Sequence, residues 1–168
     1  MYSYMPLFAG FAAGYTLTPR AAVWQPEVGA KWQIVLESGI EVGNSVEPDV
    51  PIYDIDLFTN TDDGTDAGRV IGKLHDQGKK VICYFSAGTY EPGRPDSDQY
   101  ENGDLGAQLP EWPKEKWVDI RHDNVRNIIK GRIDLAAEMG CDAIDPDNMD
   151  GYVRTQHITL IHRNGNCS

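Results

Sequence analysis

The feature that most constrains the fold is the run Val81-Ile82-Cys83-Tyr84-Phe85, apolar at nearly every position and entered through Lys79-Lys80. A strand with one wet face alternates polar and apolar residues, whereas a continuous apolar run needs cover on both sides, as parallel sheets between helices provide. Its neighbours fit that setting. Residues 32–36 form a β-prone run ended by Ser38-Gly39, and residues 50–58 form a second, flanked by Pro48 and the turn-rich 59–64. Ala67, Val70, Ile71 and Leu74 then fall at helical spacing between a Thr65 N-cap and Gly78, which predicts a helix over 65–77. Val125, Ile128, Ile129, Ile133, Ala136 and Met139 mark one face of a helix over 123–139, closed by Gly140, and 141–145 is the last strand. Short strands alternating with helices imply right-handed βαβ units, so four parallel strands are expected to neighbour one another in chain order. In an open sheet or a barrel, such strands present ligands at their carboxyl ends. A complete eight-stranded barrel takes about 250 residues, more than the 168 of this chain. Between the third strand and the second helix, the Gly/Pro/Asp-rich stretch 87–113 reads as a long functional loop.

Composition narrows the partners. The formal net charge is -11, which argues against nucleic acid or an anionic membrane, since phosphate binding needs clustered Lys and Arg. It suits a cationic partner, and it equally serves solubility. Three cysteines, Cys83, Cys141 and Cys167, cannot all pair with one another, and none has metal-ligand spacing. Strand alternation points Cys83 towards the helices and Cys141 towards the interior. Diverging Cβ vectors then predict two buried free thiols and no disulfide. Residues 5–17 are apolar and rich in small side chains, followed by Arg20-Ala21-Ala22. That length fits a signal-peptide core and is too short to span a bilayer, so 1–22 is read as a signal-like segment and the protein as extracellular, with no stable membrane span.

Alternation also sorts the acids. In Ile52-Tyr53-Asp54-Ile55-Asp56-Leu57-Phe58, Tyr53, Ile55 and Leu57 share the face that should meet the helices, so Asp54 and Asp56 point inward. In the last strand Ala143, Asp145 and Asp147 share a face opposite Ile144, with Asn148 and Asp150 following. Two strands therefore aim carboxylates at one central space. A satisfied structural network explains Asp54 as well as function does, but the 145–150 cluster sits where active sites of parallel folds are built.

These residues match a family. Trp24-Gln25-Pro26, Trp32-Gln33-Ile34 and Tyr53-Asp54-Ile55-Asp56 are followed by Val81-Ile82-Cys83-Tyr84-Phe85-Ser86-Ala87-Gly88, Glu91 and Arg94-Pro95-Asp96. The series closes on Gly140-Cys141-Asp142-Ala143-Ile144-Asp145-Pro146-Asp147-Asn148-Met149-Asp150-Gly151-Tyr152. It resembles glycoside-hydrolase family 114, the endo-α-1,4-polygalactosaminidases. The resemblance implies an α/β fold, a partial (β/α)8 TIM-type barrel holding roughly its first four βα units in 23–152. It further implies hydrolysis of α-1,4-linked galactosamine-containing polysaccharide by two carboxylates, without metal or organic cofactor. A deacetylated galactosamine polymer is cationic, which gives the acidic charge a use. Asp147, with Asp145 second, is the expected stabilising or nucleophilic carboxylate. Asp54, Asp56, Tyr84, Ser86, Glu91, Arg94, Asp96, Trp112, Asn148 and Asp150 are the expected substrate contacts. Tyr90, Trp112 and Trp117 either stack on sugar rings or pin the loop, with sugar contact favoured for Trp112, and Arg94 beside Asp96 reads as an ion pair or a substrate contact. Residues 153–168 depart from the family pattern. The general acid is expected on a later strand, which would leave this chain hydrolytically inactive unless Glu91 or Asp96 supplies the acid.

Two rivals remain. Asp54-x-Asp56 after an apolar run is also the start of a Mg²⁺-dependent haloacid-dehalogenase-like phosphatase motif, although Leu57 and Phe58 are wrong for it. A non-enzymatic reading has the chain as a degenerate barrel that is inert or only binds sugar. A calcium loop at 60–68 fails on its ligand positions.

Overall fold

The computed structural model describes residues 23–58 and 67–151. In chain order the elements are β1 (Trp32–Val35), β2 (Ile52–Asp56), α1 (Ala67–Asp76), β3 (Lys80–Ser86), β4 (Thr89–Tyr90), β5 (Leu105–Gln108), β6 (Lys116–Val118), α2 (Asp123–Met139) and β7 (Ala143–Asp147). The four strands expected from the sequence form one parallel sheet in the order β1-β2-β3-β7. The Thr65 cap and the 1–22 and 153–168 segments lie outside the described residues.

Register divides this sheet into two faces. Tyr53, Ile55, Val81, Cys83 and Phe85 project to one side and enter a core with Val70, Ile71 and Leu74 of α1 and Ala136 of α2. Both helices end as their glycines suggest. Gly78 and Gly140 take φ of 73° and 89°, a left-handed backbone that only glycine adopts without penalty. The buried face of α2 differs from the expected one in a single respect. Arg132 is 1% exposed while Ile133 is 40% exposed, so the helix turns a guanidinium, not an isoleucine, into the interior. The cause is electrostatic and is described with the site below.

Two expectations are corrected. Cys83 and Cys141 form a disulfide, with their Cα atoms 6.0 Å apart. Cys83 faces the helices as alternation requires. Cys141, however, lies between the left-handed Gly140 and the first residue of β7, outside the strand, so alternation does not govern its side chain. It packs against the same core as Cys83. The stretch 87–113 is also not a plain loop. With 116–118 it folds into a three-stranded antiparallel sheet, β4-β6-β5, laid over the carboxyl end of β3. The Val118 amide donates to the Gly88 carbonyl at 3.0 Å and joins it to the strand end.

Candidate active site

The inner face of the sheet is built in layers. Ile34, Asp54, Ile82 and Ala143 stand side by side; Asp56, Tyr84 and Asp145 form the next layer, and Ser86 and Asp147 the last, at the carboxyl ends. Asp147 is exposed at the mouth. The Tyr84 hydroxyl donates to Asp147 Oδ2 at 2.7 Å. Burial, then the hydrogen bond to Asp147 and its charge, push the Tyr84 phenol far above its ordinary range, so it stays a neutral donor. The Asp147 backbone is pinned as well. Its carbonyl accepts from the Ala87 and Gly88 amides at 3.0 and 3.2 Å. That crossing is so close that a Cβ on Gly88 would lie 1.8 Å from the Asn148 carbonyl oxygen. Asn148 itself adopts φ of 60°, a strained left-handed conformation for a non-glycine residue and one concentrated at functional sites. Its side-chain amide donates to Ser86 Oγ and Thr89 Oγ1, both at 3.1 Å, and Thr89 in turn donates to Glu115 at 3.0 Å.

The loop acids and cations are paired differently from the adjacency of Arg94 and Asp96 in sequence. Arg94 grips both oxygens of Asp56, at 2.9 and 2.7 Å, and reaches Glu91 at 2.8 Å. Asp96 accepts from Nε and Nη2 of Arg132, both at 2.8 Å, and Arg132 also donates to the Ser86 carbonyl at 2.6 Å. The two guanidinium groups lie 5.4 and 5.3 Å from the centre of the Phe58 ring, within cation–π range. Arg132 is buried because it must reach the end of β3 from the helix layer, where Asp96 neutralises it.

Of the aromatics, Trp117 is buried and Tyr90 packs edge-on against Tyr100, so these two hold the small sheet in place. Trp112 is 60% exposed. It lines a cleft of about 500 Å³ with Leu36, Glu91, Arg94, Lys114 and Glu115. Glu115 has no sequence motif to announce it. Burial pushes its carboxyl up and the charges of Glu91 and Asp147 add to this, while the Thr89 hydroxyl opposes it. Asp150 follows the cluster on the exposed side. The structure thus gathers Asp54, Asp56, Tyr84, Ser86, Asp145, Asp147 and Asn148 along one face that opens at the strand ends, with Glu91, Arg94 and Trp112 on the adjoining wall. Asp96 instead faces Arg132. Among the described residues no group of three or more His, Cys, Asp or Glu side chains is arranged to hold a metal ion.

Parallel strands that deliver carboxylates and a phenol to one open space at their carboxyl ends have the arrangement in which barrel-type α/β folds place ligands. The sequence model of glycoside-hydrolase family GH114 matches residues 15–166, and the chain belongs to that family. Among solved structures it is similar to Aspergillus fumigatus Ega3 in complex with galactosamine, at 48% identity and a TM-score of 0.71 over 80% of this chain and 50% of that one. It shares the fold of the glycoside hydrolase domain of PelA from Pseudomonas aeruginosa, at 13% identity and a TM-score of 0.57 over 73% and 46% of the two chains. The chain spans about half the length of these relatives. No functionally curated protein matches it. Family membership displaces the phosphatase reading. So does Arg94, whose guanidinium occupies both oxygens of the Asp56 carboxylate that such chemistry would give to Mg²⁺.

Proposed function

We propose that the protein is a glycoside hydrolase acting on α-1,4-linked galactosamine-containing polysaccharide, with Asp147 as the carboxylate that attacks or stabilises the oxocarbenium-like centre. The observation that carries this reading is the setting of Asp147. It is solvent-facing, oriented by the neutral Tyr84 hydroxyl, and fixed from behind by two backbone amides. Tyr84 stays hydrogen-bonded as charge on Asp147 is consumed, which keeps the carboxylate aimed through the reaction. The substrate class is supported by the family, by the galactosamine complex of the Aspergillus relative, and by the net charge of -11. An acidic cleft concentrates a cationic amino-sugar chain and is indifferent to its acetylated form. Trp112 supplies an exposed ring at the wall of the cleft on which a sugar can stack.

Glu91, Asp96 and Asp56 are each hydrogen-bonded to a guanidinium, so these acids are already engaged within the protein. This pairing supports the second reading, in which the 168 residues by themselves bind the sugar without turning it over. We assign the protein to an extracellular or cell-surface setting because a buried disulfide persists in oxidising compartments. Among the described residues no helix is long and apolar enough to cross a membrane.

The test is turnover and binding of deacetylated and fully acetylated galactosamine oligomers by the protein and its Asp147→Asn variant. The hydrolase reading expects turnover of the deacetylated form and a drop of roughly 10³-fold or more in kcat for the variant. Equal turnover by both proteins would remove Asp147 from the mechanism. Binding without turnover in either would select the sugar-binding reading.

A further inference from the structure

Asp54 occupies an inner-face layer that is otherwise apolar, beside Ile34 on β1 and Ile82 on β3. It is 3% exposed, its Oδ1 has no partner among the described residues, and Asp145 on β7 is the charged neighbour that acts on it. Two carboxylates share a hydrogen bond only if one proton lies between them, because an ionised carboxylate is an acceptor alone. Among the described residues no cation is directed at the pair to substitute for that proton. Arg94 is directed at Asp56 and Glu91, Arg132 at Asp96, and Lys80, on the same face of β3, at Asp142 at 2.6 Å. Among the described residues, the other titratable groups on this face are Asp56 from β2, Tyr84 from β3 and Asp147 from β7, two further acids and a neutral phenol; β1 brings only Ile34.

We propose that Asp54 carries this proton at neutral pH and donates it to Asp145, acting as a positioning residue that holds Asp145 one layer below Asp147. Asp54 is the carrier because it is the more deeply buried of the two, and the neutral form belongs where desolvation is greatest. Burial first, then the charge of Asp145 and the hydrogen bond to it, raise the Asp54 carboxyl from 3.8 to about 7. On the alkaline side Asp54 loses that proton, the donor to Asp145 is gone, and Asp145 is no longer held in its aligned position. Any role for Asp145 in hydrolysis rests on the function proposed above. The proton itself is tested without substrate, so the two fail separately.

A carboxyl raised on folding binds a proton that the unfolded chain has released. Its contribution to stability is complete below the unfolded value near 4 and is lost as pH rises through about 7. Asp54→Asn keeps an N–H donor towards Asp145 and cannot titrate. Between pH 4 and 8 its Tm should gain on that of the parent by roughly 5–10 °C. A carboxylic C=O infrared band, present in the parent at pH 6, should be missing in the variant. An unchanged pH slope, or a band that survives in Asp54→Asn and disappears in Asp145→Asn, would overturn the proposal. If Asp54→Asn does not fold, Asp145→Asn decides alone: removing the neighbouring charge should shrink the pH slope, and an unaltered slope rejects shared protonation.

Discussion

The two faces of β2 and β3 differ in cover and are stabilised by different physics: on β3 the helix side is fully buried while Lys80, Ile82 and Tyr84 on the inner side are half-buried. On the helix side, Tyr53, Ile55, Val81, Cys83 and Phe85 meet α1 and α2 in one apolar cluster. On the inner side the same strands carry the buried Asp54 together with Asp56, Tyr84 and Ser86, and the last three each make a directed polar contact. Apolar burial is non-directional and scales with area, so many side chains would satisfy the first face. The second tolerates almost no change, because every displaced donor or acceptor leaves another unsatisfied at low dielectric. One face fixes how firmly the sheet holds, the other where its carboxylates point.

Arg132 is where the two meet, a cation passing from the helix layer to Asp96 and the Ser86 carbonyl. Arg132→Met should therefore be the most damaging of the substitutions considered, even though methionine suits the apolar side. It strands a carboxylate and a carbonyl at the end of β3, and loss of one partner from a buried pair costs about 3–5 kcal/mol. Urea unfolding reads the loss directly. A cost below about 1 kcal/mol would mean that water replaces the guanidinium and that the faces are less separate than described.

The disulfide belongs wholly to the helix side, and its removal sharpens the contrast. It closes a segment with a sequence separation of 58, and such a link contributes about 2–4 kcal/mol, mainly by restricting the unfolded chain. The double variant Cys83→Ala/Cys141→Ala should lose that amount while the Tyr84–Asp147 contact stays in place. Chemical unfolding with and without reductant checks it. The parent should fall to the level of the variant, and the variant should not respond. If the variant also loses galactosamine binding, the disulfide supports the inner face as well.

What was legible in the sequence divides along the same line. The helix Asp123–Met139 was found to the residue because its apolar spacing repeats over many turns and ends at Gly140. The parallel order was found because Val81 to Phe85 demands two covered sides. Arg132 was missed because a lone arginine on a helix reads as surface, and only the fold brings Asp96 to it. Cys141 was misplaced because the alternation rule was carried two residues beyond the start of the strand at Ala143. The β4-β6-β5 sheet was read as loop because strands of two to four residues carry no measurable period. Inward aim of Asp54, Asp56, Asp145 and Asp147 was legible from alternation. Their partners were not, because Arg94 sits 38 residues from Asp56 and Tyr84 sits 63 from Asp147.

The mildest prediction asks whether the helix-side face is uniform. Ile144 shares that face, paired in register with Cys83, but it stands on the edge strand β7 and is 37% exposed. Ile55, in the same sheet and also paired with Cys83, is 1% exposed. Both are isoleucines on the same side of the sheet, so their comparison isolates cover from chemistry. Ile55→Ala should cost about 2–5 kcal/mol, from lost transfer energy plus the cavity left behind. Ile144→Ala removes a group already partly in water and opens a notch, not a cavity, so about 1 kcal/mol or less is expected. Equilibrium unfolding of the two variants measures the difference. A cost for Ile144 equal to that for Ile55 would show that Ile144 is covered in solution by something outside residues 23–58 and 67–151, and the edge would then have to be counted as core.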